Sequence, residues 1–187
     1  MNPWEQMKFE SLATRPGQLS RIQQFEQLIG IRLPADHHQF LLDVNGGRPV
    51  HPQAPHPDEY PVVTVEWQGR PPKGVLDEVI VDYLFNAEDW AGIYEDQRSE
   101  SLTLSGAYRE FVQEEPRIAP GFIPMGSDPG GHLFLLDVSG KRPGSVWFWA
   151  HDWFDAGKLG EEFFHNLGFI ALTFSEFISK IRFKTLD

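Results

Sequence analysis

The stretch from His132 to His151 constrains this chain's fold more than any other. Leu133-Phe134-Leu135-Leu136 and Val146-Trp147-Phe148-Trp149 are short apolar runs, separated by the turn-forming residues Ser139 to Gly144. Successive side chains of a strand point to opposite faces. Leu133 and Leu135 therefore share one face, and Phe134 and Leu136 the other. The pattern predicts a β-hairpin of strands His132–Val138 and Ser145–His151, apolar on both faces. A ribbon of that kind needs cover on both sides. Phe122-Ile123 reads as a short strand before it, with Gly126-Ser127-Asp128-Pro129-Gly130-Gly131 as the connecting turn.

Helices supply part of the cover. Leu19, Ile22, Phe25 and Ile29 recur at helical spacing and Gly30 follows as a stop, which predicts a helix from Leu19 to Ile29. Pro34 suits the first turn of a second helix, and Asp36 suits its dipole. Phe40, Leu41 and Val44 are its apolar stripe, and Asn45-Gly46-Gly47 should end it. A last helix closes the chain, with Thr173 and Glu176 as a capping box and Phe174, Phe177, Ile178 and Ile181 as its buried stripe.

Between these lie further strands and a polar stretch. Arg48 to Pro61 carries five prolines and should be a loop, excluded from any central strand. Alternation predicts one strand over Val62–Trp67 and a second over Val79–Phe85. Ala87 to Glu115 should be helical in part, with Trp90, Ile93 and Tyr94 as one stripe and Tyr108, Phe111 and Val112 as another. The expected class is α+β, a mostly antiparallel sheet with two N-terminal helices and a C-terminal helix packed on it. Residues 1–187 read as one domain without internal repeat or linker.

Charge narrows the function. Acidic residues outnumber basic ones 27 to 16, for a net charge of −11. Phosphate-binding surfaces need clustered Lys and Arg, so direct nucleic-acid binding is not expected. No apolar run approaches the roughly 20 residues of a membrane span, and no signal peptide is readable at the start, so the expected setting is cytoplasmic. Between Val75 and Glu115 eleven acids stand against Arg98 and Arg109 alone. Such a stretch can be a solvated face or a surface that steers a basic partner. The candidate partner-binding residues are Asp77, Glu78, Asp82, Glu88, Asp89, Trp90, Tyr94, Glu95 and Asp96.

No catalytic constellation emerges. Cysteine is absent, which removes thiolate nucleophiles and thiolate metal sites. His37 and His38 are adjacent on a helix and point about 100° apart, so they do not share a metal. Asp128, His132, Asp137, His151 and Asp152 form the best remaining cluster, with His132 and His151 as possible cross-strand neighbours. A metal would need three or four converging donors, and turn and strand-end chemistry is the simpler reading. The Gly126–Gly131 loop lacks the Gly-Lys-Ser/Thr ending of a phosphate loop. The expectation is no catalytic residue, no metal and no cofactor.

Three ordered blocks carry a resemblance. They are Leu33-Pro34 with Phe40-Leu41-Leu42 and Asn45-Gly46-Gly47; Phe122 to Gly131 with Leu135-Leu136-Asp137; and Gly144 to Asp152. In that order the chain resembles the SUKH superfamily, also called the SMI/KNR family, over about residues 19–184. The matching positions include Pro34, Asn45, Gly46, Gly47, Pro124, Gly126, Asp128, Gly130, Gly131, Asp137 and Trp149. The resemblance implies an α+β fold and a protein-binding role without catalysis. Many bacterial members resemble immunity proteins that neutralise polymorphic toxins, often nucleases, and a basic toxin domain would suit the acidic stretch. Fungal members imply the alternative, a regulatory or scaffold module with no toxin. The proline-rich loop and an insertion around Gly157–Gly168 depart from a compact member. Oligomeric state is left open.

Overall fold

Helices form where an apolar stripe is closed by a residue that can leave the helical region. The structure, a computed structural model, describes residues 1–10, 17–52, 59–67, 69, 71–87, 102–114, 116–151 and 161–185. A 3-10 turn (Pro3–Gln6) and β1 (Lys8–Glu10) precede α1 (Leu19–Ile29), which stops at Gly30 with φ 72°. Pro34 caps α2 (Ala35–Asp43), after which Asn45, Gly46 and Gly47 adopt φ of 60°, 80° and 118°. Then come β2 (Arg48–Val50), β3 (Glu59–Thr64), β4 (Glu66–Trp67), β5 (Glu78–Ile80) and β6 (Tyr83–Leu84). α3 (Leu104–Tyr108) runs into a π-helical segment (Arg109–Glu114). β7 (Phe122–Ser127), β8 (Leu133–Asp137), β9 (Val146–Trp149), α4 (Glu161–His165), β10 (Leu167–Ala171), α5 (Phe174–Lys180) and β11 (Arg182–Thr185) complete the order.

The expected hairpin is the centre of this α+β fold. β8 and β9 lie inside a six-stranded antiparallel sheet of order β4-β10-β9-β8-β7-β6, and every residue of both is buried. The register pairs Leu133 with Trp149 and Leu135 with Trp147, which puts the two tryptophans on one face. There Trp147 meets Phe169 at 5.1 Å, and Phe163 of α4 meets both Trp149 (5.6 Å) and Phe122 (5.5 Å). The opposite face presents Phe134 and Phe148, and Phe177 of α5 packs on Phe134 at 5.6 Å. Behind it Phe174, Phe40 of α2 and Trp4 continue the layer. The predicted cap of α5 forms with its return bond shifted by one residue: Thr173 Oγ1 accepts from the Glu176 amide (3.1 Å), and Glu176 Oε2 accepts from the amide of Leu172, the residue before the cap (2.8 Å).

The two alternating segments expected as single strands are each divided between sheets. β3 belongs to a three-stranded sheet of order β11-β3-β5, whereas β4 is an edge of the six-stranded sheet. The chain crosses over at Val65, whose amide donates to the Asp77 carbonyl at 2.7 Å. Likewise β5 and β6 separate at Val81–Asp82, where the Val81 amide bonds Pro61 and the Asp82 amide bonds Ser127. Both edges of the large sheet thus lead into strands that pair with each other, which leaves those edges short.

Other expectations are corrected. Arg48 to Pro61 is not all loop: β2 pairs with β1 in a two-stranded sheet, and Pro61 sits in β3, a central strand. Proline is tolerated because its carbonyl still accepts from Val81 while its missing donor faces the position just beyond the end of β5. β7 runs through Pro124 and Gly126 to Ser127, with a register shift between them, so the turn is shorter than expected. The later part of the expected insertion forms α4 and β10, and Gly168 is in a central strand. The chain continues past α5 into β11, which pairs with β3. The Trp90, Ile93 and Tyr94 stripe lies outside the described residues.

One carboxylate joins the helical layer. Asp36 accepts from the His37 amide at the start of α2 (2.9 Å) and from the Ser175 amide in the first turn of α5 (2.8 Å). Beside it His37 is buried, its ring 4.7 Å from that of Phe174, and its Nδ1 has no partner among the described residues. Burial lowers its pKa from 6.5 to about 4, with Asp36 opposing the shift and His38 adding to it. Above pH 6.5 folded and unfolded chains both hold a neutral imidazole. Between pH 6.5 and 4 only the unfolded chain takes up the proton, so stability falls with pH. The loss approaches about 3 kcal/mol by pH 4, at ~1.4 kcal/mol per unit. Urea titrations of wild type and His37→Leu at pH 7 and pH 4.5 should show a flatter pH dependence for the variant. Parallel curves would remove His37 as the source.

Candidate interaction surface

The glycine-rich stop after α2 also acts on a distant segment. The Gly47 amide and carbonyl both bond Leu84, at 2.9 and 3.0 Å. A Cβ on Gly46 would stand 2.5 Å from the Leu84 carbonyl oxygen, so only glycine permits this approach. Asn45 tolerates a left-handed φ, and its Oδ1 accepts from the buried Ala87 amide at 3.0 Å. Next to Ala87, Asn86 forms a parallel bridge with Thr103, and its carbonyl accepts from Leu104 at 2.9 Å. Thr103 in turn caps α3 through the Gly106 amide. Residues 87 and 102 are therefore the two ends of a braced stem. Between them lie Glu88, Asp89, Trp90, Tyr94, Glu95 and Asp96, six of the nine candidate partner-binding residues, which fall outside the described residues.

The other three candidates are in view. Asp77 is exposed at the entry to β5. Glu78 is exposed but holds Lys184 of β11 at 2.6 and 2.7 Å. Asp82 is half-buried and paired with Arg48, whose Nε also donates to the Asp82 carbonyl. Two of the three thus carry a cationic partner, and this end of the expected acidic face is partly neutralised. The pairs span 106 and 34 residues of sequence, so charge counting along the chain could not reveal them.

Positions of the recurring blocks hold turns and core. Pro34 caps α2 and Trp149 is fully buried. A Cβ on Gly126 would be 2.7 Å from the Tyr83 carbonyl, where β7 meets β6. Asp128 Oδ1 accepts from the His132 amide at 2.8 Å across the turn containing Gly130 and Gly131, the latter at φ 85°. Asp137 is 2% exposed, and its carboxylate accepts from the Gly140 and Arg142 amides at the β8–β9 turn. Ser145 then receives the Trp147 indole N–H at 2.8 Å.

The histidine cluster does come together. His132 Nδ1 and His151 Nδ1 are 3.2 Å apart, hydrogen-bond distance for one shared proton. Burial raises the nearby Asp128 carboxyl above its usual range, against the pull of His132 and His151. Asp137 serves its own turn instead, and Asp152 lies outside the described residues. Among the described residues no group of three or more His, Asp or Glu side chains is placed to hold a metal. None of the described helices is long and apolar enough to cross a membrane.

A model of the SMI1 / KNR4 family (SUKH-1) matches residues 16–180. No curated protein matches the chain significantly.

The stem makes its own prediction. Asn45→Ala leaves the Ala87 amide buried without its acceptor, costing about 1–3 kcal/mol, and keeps a poorly tolerated φ. Asn45→Gly relieves the backbone but not the amide, so it should lose less. Hydrogen exchange should show the Ala87 and Leu104 amides opening faster in both. Unchanged protection at Ala87 would mean Asn45 does not brace the stem.

Proposed function

Because the chain belongs to the SMI1 / KNR4 family (SUKH-1), we propose that it is a non-enzymatic protein-binding domain of the immunity type, which neutralises a polymorphic toxin by binding it. A basic toxin domain, such as a nuclease, is the partner class its charge favours. The observation that carries this reading is the braced stem at Ala87 and Leu102. It holds both ends of a segment with five acids, one arginine, Trp90 and Tyr94. Pre-set ends reduce the entropy lost when such a segment docks. Tryptophan and tyrosine are among the residue types enriched in binding hot spots. Asp77 is exposed and adds to the acidic candidates, while Glu78 and Asp82 contribute less because Lys184 and Arg48 already hold them.

The partner to test first is a toxin domain encoded beside this protein's gene. Reversing Glu88, Asp89, Glu95 and Asp96 to lysine should slow association by roughly tenfold or more at low salt and flatten its salt dependence. Stopped-flow mixing at two ionic strengths reads both. An unchanged rate with an unchanged salt slope would sink the acidic-surface version. A pull-down that recovers only housekeeping proteins would favour the regulatory module instead.

A further inference from the structure

A cavity of about 400 Å³ opens where the β1–β2 and β11-β3-β5 sheets meet the β7–β8 turn. Its floor is apolar, built from Pro49, Val50, Pro61, Ile80 and Val81. The charged part of its lining is predominantly anionic. Glu10 is the register partner of Arg48 in the β1–β2 ladder, yet the Arg48 guanidinium is committed to the Asp82 carboxylate and carbonyl. Glu59, at the far end of the β3–β11 ladder, faces Thr185. Neither the Glu10 nor the Glu59 carboxylate has a hydrogen bond or ion pair among the described residues. The cavity thus holds three carboxylates and one already committed guanidinium. His51, its ring against Phe183, adds aromatic surface.

We propose that this cavity receives an arginine side chain presented by a protein partner. An apolar floor below unpaired carboxylates matches a side chain with an apolar stem and a cationic head. A planar guanidinium has five donors and can bridge separated carboxylates, whereas an ammonium acts as a point charge. A bare metal ion is a poorer fit, since no three ligating side chains converge among the described residues. An anion would meet like charge. The inference deepens the toxin-binding reading by naming a contact class, and it rests on that reading only for the protein that presents the arginine.

The test uses the whole chain and acetyl-Gly-Arg-Gly-amide as probe, followed by ¹H–¹⁵N NMR. Saturable shifts are expected at the Val50, Glu59, Tyr60 and Val81 amides. They should be weaker with the lysine peptide and lost with the citrulline peptide. The double variant Glu10→Gln/Glu59→Gln should keep the wild-type melting temperature and bind the arginine peptide at least about tenfold more weakly. Equal binding of citrulline, equal binding by the double variant, or shifts confined to other surfaces would overturn the proposal. If a toxin complex forms with an affinity untouched by the double variant, this pocket is excluded and the immunity reading stands. Arginine binding here without any toxin partner upholds the pocket and counts against that reading.

Discussion

Burial of β8 and β9 on both faces is the constraint to which the other elements answer. Each fully buried Leu, Val or Phe contributes roughly 1.5–3 kcal/mol, and the nine residues of these strands are all buried. That gain needs two covers. α5 and α2 supply one through Phe177, Phe174 and Phe40, and Phe163 of α4 supplies part of the other against Trp149. Asp36 fixes α2 to α5 by serving the first turn of each. The same dry seam explains why His37 resists protonation.

The large sheet also has to end. It does so by letting its edge strands run on into β3 and β5, which pair with one another. This geometry creates the polar corner. It draws Arg48 onto Asp82, sets Lys184 over Glu78, and leaves Glu10 and Glu59 beside the apolar floor. Exposed ion pairs of this kind are worth only about 0–1 kcal/mol each. Their consequence is electrostatic, because they decide which carboxylates are already occupied.

Asn45-Gly46-Gly47 links scaffold to surface. A helix stop needs left-handed residues, and the same residues permit the backbone approach to Leu84 and the clamp on Ala87. A short motif can thus recur for structural reasons and still fix where the segment after Ala87 begins.

What could be read from the sequence was local. α1 is bounded as its Leu19, Ile22, Phe25, Ile29 and Gly30 spacing predicts, and the Thr173–Glu176 cap forms. Both signals act within four residues. The hairpin was legible because two runs apolar on both faces have few alternatives. The division of Val62–Trp67 and Val79–Phe85 between sheets was not, since alternation of period two continues whichever neighbour a strand pairs with. β10 and β11 were missed for a related reason: a short strand is stabilised by its partners more than by its own residues. Proline in β3 was misjudged because its tolerance depends on where β5 ends. For the candidate surface, the sequence by itself determined the number and order of the charges. Only the tertiary structure decided which of them are paired, because electrostatic partners are chosen by distance in space and the chain brings them there from 34 and 106 residues away.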